Sequence, residues 1–180
     1  ARGGLLETPQ EKAPPAPAAP PSKPKLTEDK VKERIRNTYE EFAELKDAKE
    51  VKATLDELDT REFMWCVVSV AMEMCWDKPI TADSLLPLLG TLFEDKAVTA
   101  EEMRKGFDEC LEFIEDTAVD VPAAPKVSAA FVVAGLASGY LDWPYVVSVA
   151  DRFMKETEYG PRFLSLILKE LIKAEGVGGA

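Results

Sequence analysis

The sequence predicts an all-α protein, an α-solenoid-like stack of antiparallel helix pairs with about eight helices. Three observations predict it. Apolar residues recur at the spacing of one helix face from Glu28 nearly to the end of the chain. Helix-starting residues, Asp47, Thr99 and Asp142, stand just before those apolar runs. No two segments alternate apolar and polar residues across a tight turn as paired strands would.

Residues 1–26 hold seven of the 13 prolines together with many Ala and Lys residues. They carry too little apolar surface to offset the entropy of ordering, so a disordered, polyproline-leaning linker is predicted. Pro14, Pro17 and Pro20 have PxxP spacing, but a spacer is the favoured reading. A helical domain is predicted over 27–176 and a flexible tail over 177–180, where Gly178 and Gly179 lie. The chain opens on Ala rather than Met, as expected of a piece of a longer protein.

The first helix is predicted from Glu28 to Leu45, with Val31, Ile35, Tyr39 and Phe42 on one face. A second follows Asp47 as N-cap and groups Val51, Leu55 and Leu58. The third, Thr60 to Trp76, is apolar nearly all round, as expected of a helix packed on several sides. Its Met64, Trp65, Met72, Met74 and Trp76 are expected as core filling. The fourth, Ser84 to Glu94, has Pro87 near its start, where a missing N–H matters least.

Thr99 to Tyr140 organises the rest. Thr99 and Glu102 form a capping box, and Met103, Phe107, Cys110, Leu111 and Ile114 follow on one face. Gly106 inside this helix costs roughly 1 kcal/mol against Ala, which predicts a close-passing backbone. An acidic surface loop with Asp116 and Asp120 is expected next, then a turn at Pro122 and another helix. A further helix opens at Asp142-Trp143-Pro144 and packs Val146, Val149, Ala150 and Phe153. The last runs from Pro161 to Ala174, through Phe163, Leu164, Ile167, Leu168, Leu171 and Ile172, stopping before Gly176.

Composition narrows the function. The first 26 residues hold four basic and two acidic side chains, so the remainder carries 18 basic and 31 acidic ones, a net charge of −13. Such a domain is a poor direct binder of nucleic acid and suits a basic protein surface. The absence of His excludes a His-dependent triad, an HExxH zinc site and a Glu-x-x-His di-iron site. Cys66, Cys75 and Cys110 are expected as free, buried thiols in a reducing compartment. No apolar run reaches 18 residues, and Ser69 and Glu73 interrupt the most apolar segment. There is no Gly-rich phosphate loop, EF-hand spacing or zinc-type cysteine pattern, so no cofactor, metal, small-molecule substrate or enzymatic role is expected.

Several of these residues resemble the MA-3 domain family. They are the Thr-capped helix containing Met103 and Gly106-Phe107, the acidic segment ending Val119-Asp120-Val121-Pro122, and the Asp-x-Pro-x-Ala-Pro run of Asp120 to Pro125. Phe131 and Gly139 are also similar, and the likeness extends from about Val31 to about Lys173. The resemblance implies a HEAT-repeat-like module of the kind found in the translation scaffold factor 4G and in the inhibitor programmed cell death protein 4.

It further implies that Asp116 and Asp120 contact the N-terminal domain of the DEAD-box RNA helicase, eukaryotic initiation factor 4A. Two more contact positions fall on Glu41, with Glu40 as the alternative, and on Glu73. An uncompensated charge at Glu73 would be costly to bury, so an open surface is expected there. Met74 to Pro79 departs from the family in being longer than the corresponding turn. The implied function is recruitment of the helicase for cap-dependent initiation by a cytoplasmic 4G-type scaffold. The alternatives are a cell-death-4-type domain that sequesters the helicase, and a helical scaffold with an unrelated partner.

Overall fold

The structure, a computed structural model, describes residues 26–58, 60–78, 81–156 and 159–177. The predicted linker lies outside the described residues up to residue 25, as do residues 178–180 of the predicted tail. The described residues form nine helices and no strand.

Helix α1 (Glu28–Leu45) buries Val31, Ile35, Tyr39 and Phe42 and ends at Lys46, which takes the left-handed conformation. The predicted N-cap of α2 (Ala48–Glu57) is in place: the Asp47 carboxylate accepts from the backbone N–H groups of Lys49 and Glu50. Helix α3 (Cys66–Asp77) starts later than predicted. Bonds from Met64 to Arg61 and from Cys66 to Phe63 close tight three-residue turns ahead of it, so the apolar run enters the helix through a turn segment.

In α4 (Ala82–Glu94) Pro87 is interior, not in the first turn as expected, because the helix starts two residues early. The missing N–H is the one that would have met the carbonyl of Asp83, on the exposed side of the helix. Helix α5 (Ala100–Leu111) carries the complete capping box, with Thr99 and Glu102 satisfying each other's backbone N–H. Then come α6 (Ile114–Asp120), α7 (Ala124–Ser138), α8 (Trp143–Glu156) and α9 (Gly160–Val177). Asp142 caps α8 by accepting from Tyr145 N at 2.9 Å. Helix α9 continues through Gly176 instead of stopping before it.

The packing order is that of a HEAT-like solenoid. Consecutive helices pair, α1 with α2, α3 with α4 and α8 with α9. Four helices also lie on the next but one, α1 on α3, α2 on α4, α3 on α5 and α7 on α9. The apolar α3 explains the centre, since it meets α1, α4, α5 and α7 and buries eight of its residues. Tyr39, Phe107, Phe131, Tyr140 and Phe163 are fully buried, each contributing roughly 1.5–3 kcal/mol of burial free energy.

Side-chain hydrogen bonds cross this core, although Trp65 Nε1 and the Tyr140 hydroxyl are buried without a partner among the described residues. The Tyr39 hydroxyl donates to Val67 O at 2.8 Å, and Trp76 Nε1 donates to Ser128 Oγ at 3.0 Å, linking α3 to α7. The three cysteines are free and buried, as expected. Met64, Trp65 and Met72 are core residues, with Met74 and Trp76 packed partly buried against them. Among the described residues no helix is long and apolar enough to cross a membrane.

Candidate protein-interaction site

The segment carrying Asp116 and Asp120 is a seven-residue helix, α6, and not the expected loop. It is seated by buried Ile114 and by its packing on α7. Its turns close through Thr117 N to Phe113 O at 2.9 Å and Val121 N to Thr117 O at 2.8 Å. The helix stops at Val121 because the following Pro122 disfavours helical angles there.

Helical geometry aligns what the loop reading left scattered. Phe113, Asp116, Thr117 and Asp120 stand at i, i+3, i+4 and i+7, one face of α6. Asp116 and Asp120 are both exposed, one turn apart, and neither forms an ion pair with a described residue. Asp116 in the first turn complements the helix dipole, but Asp120 is the last residue of α6, where the dipole opposes a negative charge. Like charges one turn apart add a few tenths of a kcal/mol of repulsion. Asp120 therefore works against the local fold.

This face borders a groove of about 180 Å³ between α3 and the junction of α5 with α6. Phe113, Thr117 and Glu109 line one side, Glu73 and Trp76 the other, with Trp65 and Lys32 closing the end. Glu73 is compensated and only half-open: its Oε2 accepts from Arg36 Nη2 of α1 at 3.0 Å. An open surface is expected at Glu73; its side chain is partly exposed and its charge is shared with Arg36. Glu73 lines this groove, whereas Asp116 and Asp120 do not; they lie on the α6 face whose Phe113 and Thr117 reach it.

Glu41 is exposed but stands apart. It lies about 140° around α1 from Arg36, on the flank where Arg34 bonds Glu57 of α2. Glu40, one turn from Arg36, is on the flank nearer the groove. Sequence reasoning passed over Glu109 and Phe113. Their signal was present in the spacing, since Glu109, Phe113, Asp116 and Asp120 continue one stripe across the α5–α6 junction.

A second contact network fixes the far side of α5. Asp108 Oδ1 accepts from the Tyr145 hydroxyl at 3.1 Å and from Arg152 Nη2 at 2.8 Å, and Arg104 donates to Asp142 at 2.8 Å. Helix α8 is thereby held to α5. No group of three or more His, Cys, Asp and Glu side chains among the described residues could hold a metal ion.

An all-helical HEAT-like stack with an acidic, aromatic-edged face is the architecture of a protein-interaction domain. The MA3 domain family matches residues 31–142, and the chain belongs to that family. It is 31% identical over 103 residues to eukaryotic translation initiation factor 4 gamma 3 of Mus musculus, covering 57% of this chain and 6% of that protein. It is 29% identical over 134 residues to MA3 domain-containing translation regulatory factor 1 of Arabidopsis thaliana, covering 74% of this chain and 19% of that one. Factor 2 of the same plant is 32% identical over 119 residues, covering 66% and 17%. The chain thus spans less than a fifth of the length of these relatives.

Proposed function

We propose that this domain docks onto the DEAD-box RNA helicase eukaryotic initiation factor 4A and recruits it, in the cytoplasm, for translation initiation by a 4G-type scaffold. The observation that carries the reading is the exposed Asp116–Asp120 pair on α6, which has no cation of its own. Membership of the MA3 family and the initiation-factor and translation-regulator names of the relatives support it. The role is binding. Asp116 and Asp120 supply the charge, Glu73 extends it across the groove, and Glu41 forms a separate outlying contact.

The physics of such a face is fast, salt-sensitive association and fixed register. A carboxylate that becomes buried against a basic partner is worth on the order of 2–5 kcal/mol when truncated, and one left at the rim far less. The test is a calorimetric titration of the domain with purified initiation factor 4A at two salt concentrations, alongside the Asp116→Ala/Asp120→Ala variant. Binding that weakens with salt and collapses in the folded variant supports the reading. A wild-type domain that does not bind at tens of micromolar, or a double variant that binds as well as wild type, removes it.

A further inference from the structure

We infer that the groove beside α6 receives an arginine side chain of the docked protein, held by Phe113 and Glu109. This rests on the docking reading above and names what that face recognises. At about 180 Å³ the groove admits one long side chain and is below the size of a typical small-molecule pocket.

Charge selects a cation. The charged residues of the lining are Lys32, Glu73 and Glu109. Lys32 is committed, with Nζ 2.8 Å from Glu28 and 5.1 Å from the centre of the Trp65 ring. Glu73 gives one oxygen, Oε2, to Arg36. Glu109 is exposed and pairs with no described cation, so the uncompensated charge of the groove is negative. Asp116 and Asp120 extend that charge along the adjoining face.

The second observation is independent of charge. Phe113 is 58% exposed at the edge of the groove although α6 is anchored by Ile114, so the fold itself makes little use of the ring. Trp76 faces it from α3, partly buried. A guanidinium meets both demands: its plane stacks on an aromatic ring while its N–H groups reach carboxylates, and its methylene stem covers apolar surface. A lysine ammonium, compact and strongly hydrated, serves the carboxylate but gains less from the ring. Phosphate, an acidic peptide or RNA would meet like charge.

Two titrations test this and separate it from the docking reading. In the first, Glu109→Gln and Phe113→Ala domains, checked for fold by circular dichroism, are titrated with initiation factor 4A. Each is expected to raise Kd by about three- to tenfold. In the second, tryptophan emission of the domain is followed with an uncharged-terminus Arg-Gly hexapeptide and its Lys-Gly counterpart. The arginine peptide is expected to bind several-fold tighter, and to lose that advantage in both variants.

If the helicase binds and neither variant weakens it by more than about twofold, the arginine clamp is overturned and the docking reading stands. If the helicase does not bind yet the arginine preference and its dependence on Phe113 and Glu109 persist, the groove assignment stands and the helicase assignment falls. Equal affinity for both peptides overturns the clamp.

Discussion

Gly106 of α5 lies directly on the main-chain carbonyl of Trp65. A Cβ at this position would overlap that oxygen and stand 2.7 Å from Val68 Cβ. This is the close backbone approach that a glycine inside a capped helix predicts. Gly106→Ala would gain up to about 1 kcal/mol of helix propensity on an open helix. Here overlap with a backbone oxygen cannot be relieved by a rotamer change, so the sign reverses. A net loss of about 1–3 kcal/mol is expected, read as a lower urea midpoint. A stabilised Gly106→Ala protein would mean α5 can move off α3 at little cost.

Asp108 is the hinge pin of α8. Its carboxylate, itself partly open, takes two donors from that helix, Tyr145 and Arg152, both more buried than exposed. Asp108→Ala is expected to cost about 1–2 kcal/mol, because each hydrogen bond to a charged group is worth that order and the site is partly solvated. The loss should be local. Hydrogen exchange should speed up in α8 while the amides of α1 and α3 keep their protection. Uniform deprotection would contradict a local role.

Burial sets the alkaline limit of the fold. It pushes up the thiols of Cys66, Cys75 and Cys110, Cys66 from 9.0 to about 12. It also raises the Tyr39, Tyr140 and Tyr145 hydroxyls above 10.0, with the Asp108 carboxylate adding to the effect at Tyr145. A raised pKa in the folded state favours the protonated form there, so the unfolded chain releases its protons first. The stabilisation is complete below about pH 9 and is lost as pH rises past the unfolded values. Urea midpoints in reducing buffer should therefore fall above about pH 9 and more steeply above about pH 10. A midpoint unchanged to about pH 11 would mean these groups are already open to water.

What the sequence disclosed follows from the range of the interactions. Asp47, Thr99 and Asp142 were legible as caps because a cap is closed within three residues of itself. Gly106 was legible because its cost is local even though its reason, Trp65, is 41 positions away. Helix α6 was not, since seven residues are too few for periodicity to register and Pro122 drew attention to the turn. The Arg36–Glu73 pair was hidden for the opposite reason: it joins residues 37 apart, and only packing of α1 on α3 creates it. Without that pairing, Glu73 read as a charge in need of open water.

Asp120 separates stability from binding. It ends α6, where the dipole disfavours a carboxylate, and it stands one turn from Asp116. Removing its charge relieves both terms, so Asp120→Asn should stabilise the domain by about 0.3–1 kcal/mol. The same change should weaken helicase binding several-fold and flatten its salt dependence, since a charge facing the partner is lost. Glu73→Gln should behave differently, lowering the urea midpoint slightly because Arg36 then loses a charged partner. Opposite signs at the two acids would mark Asp120 as kept for the partner and Glu73 as shared between partner and fold. A destabilised Asp120→Asn protein would instead assign that carboxylate to the fold.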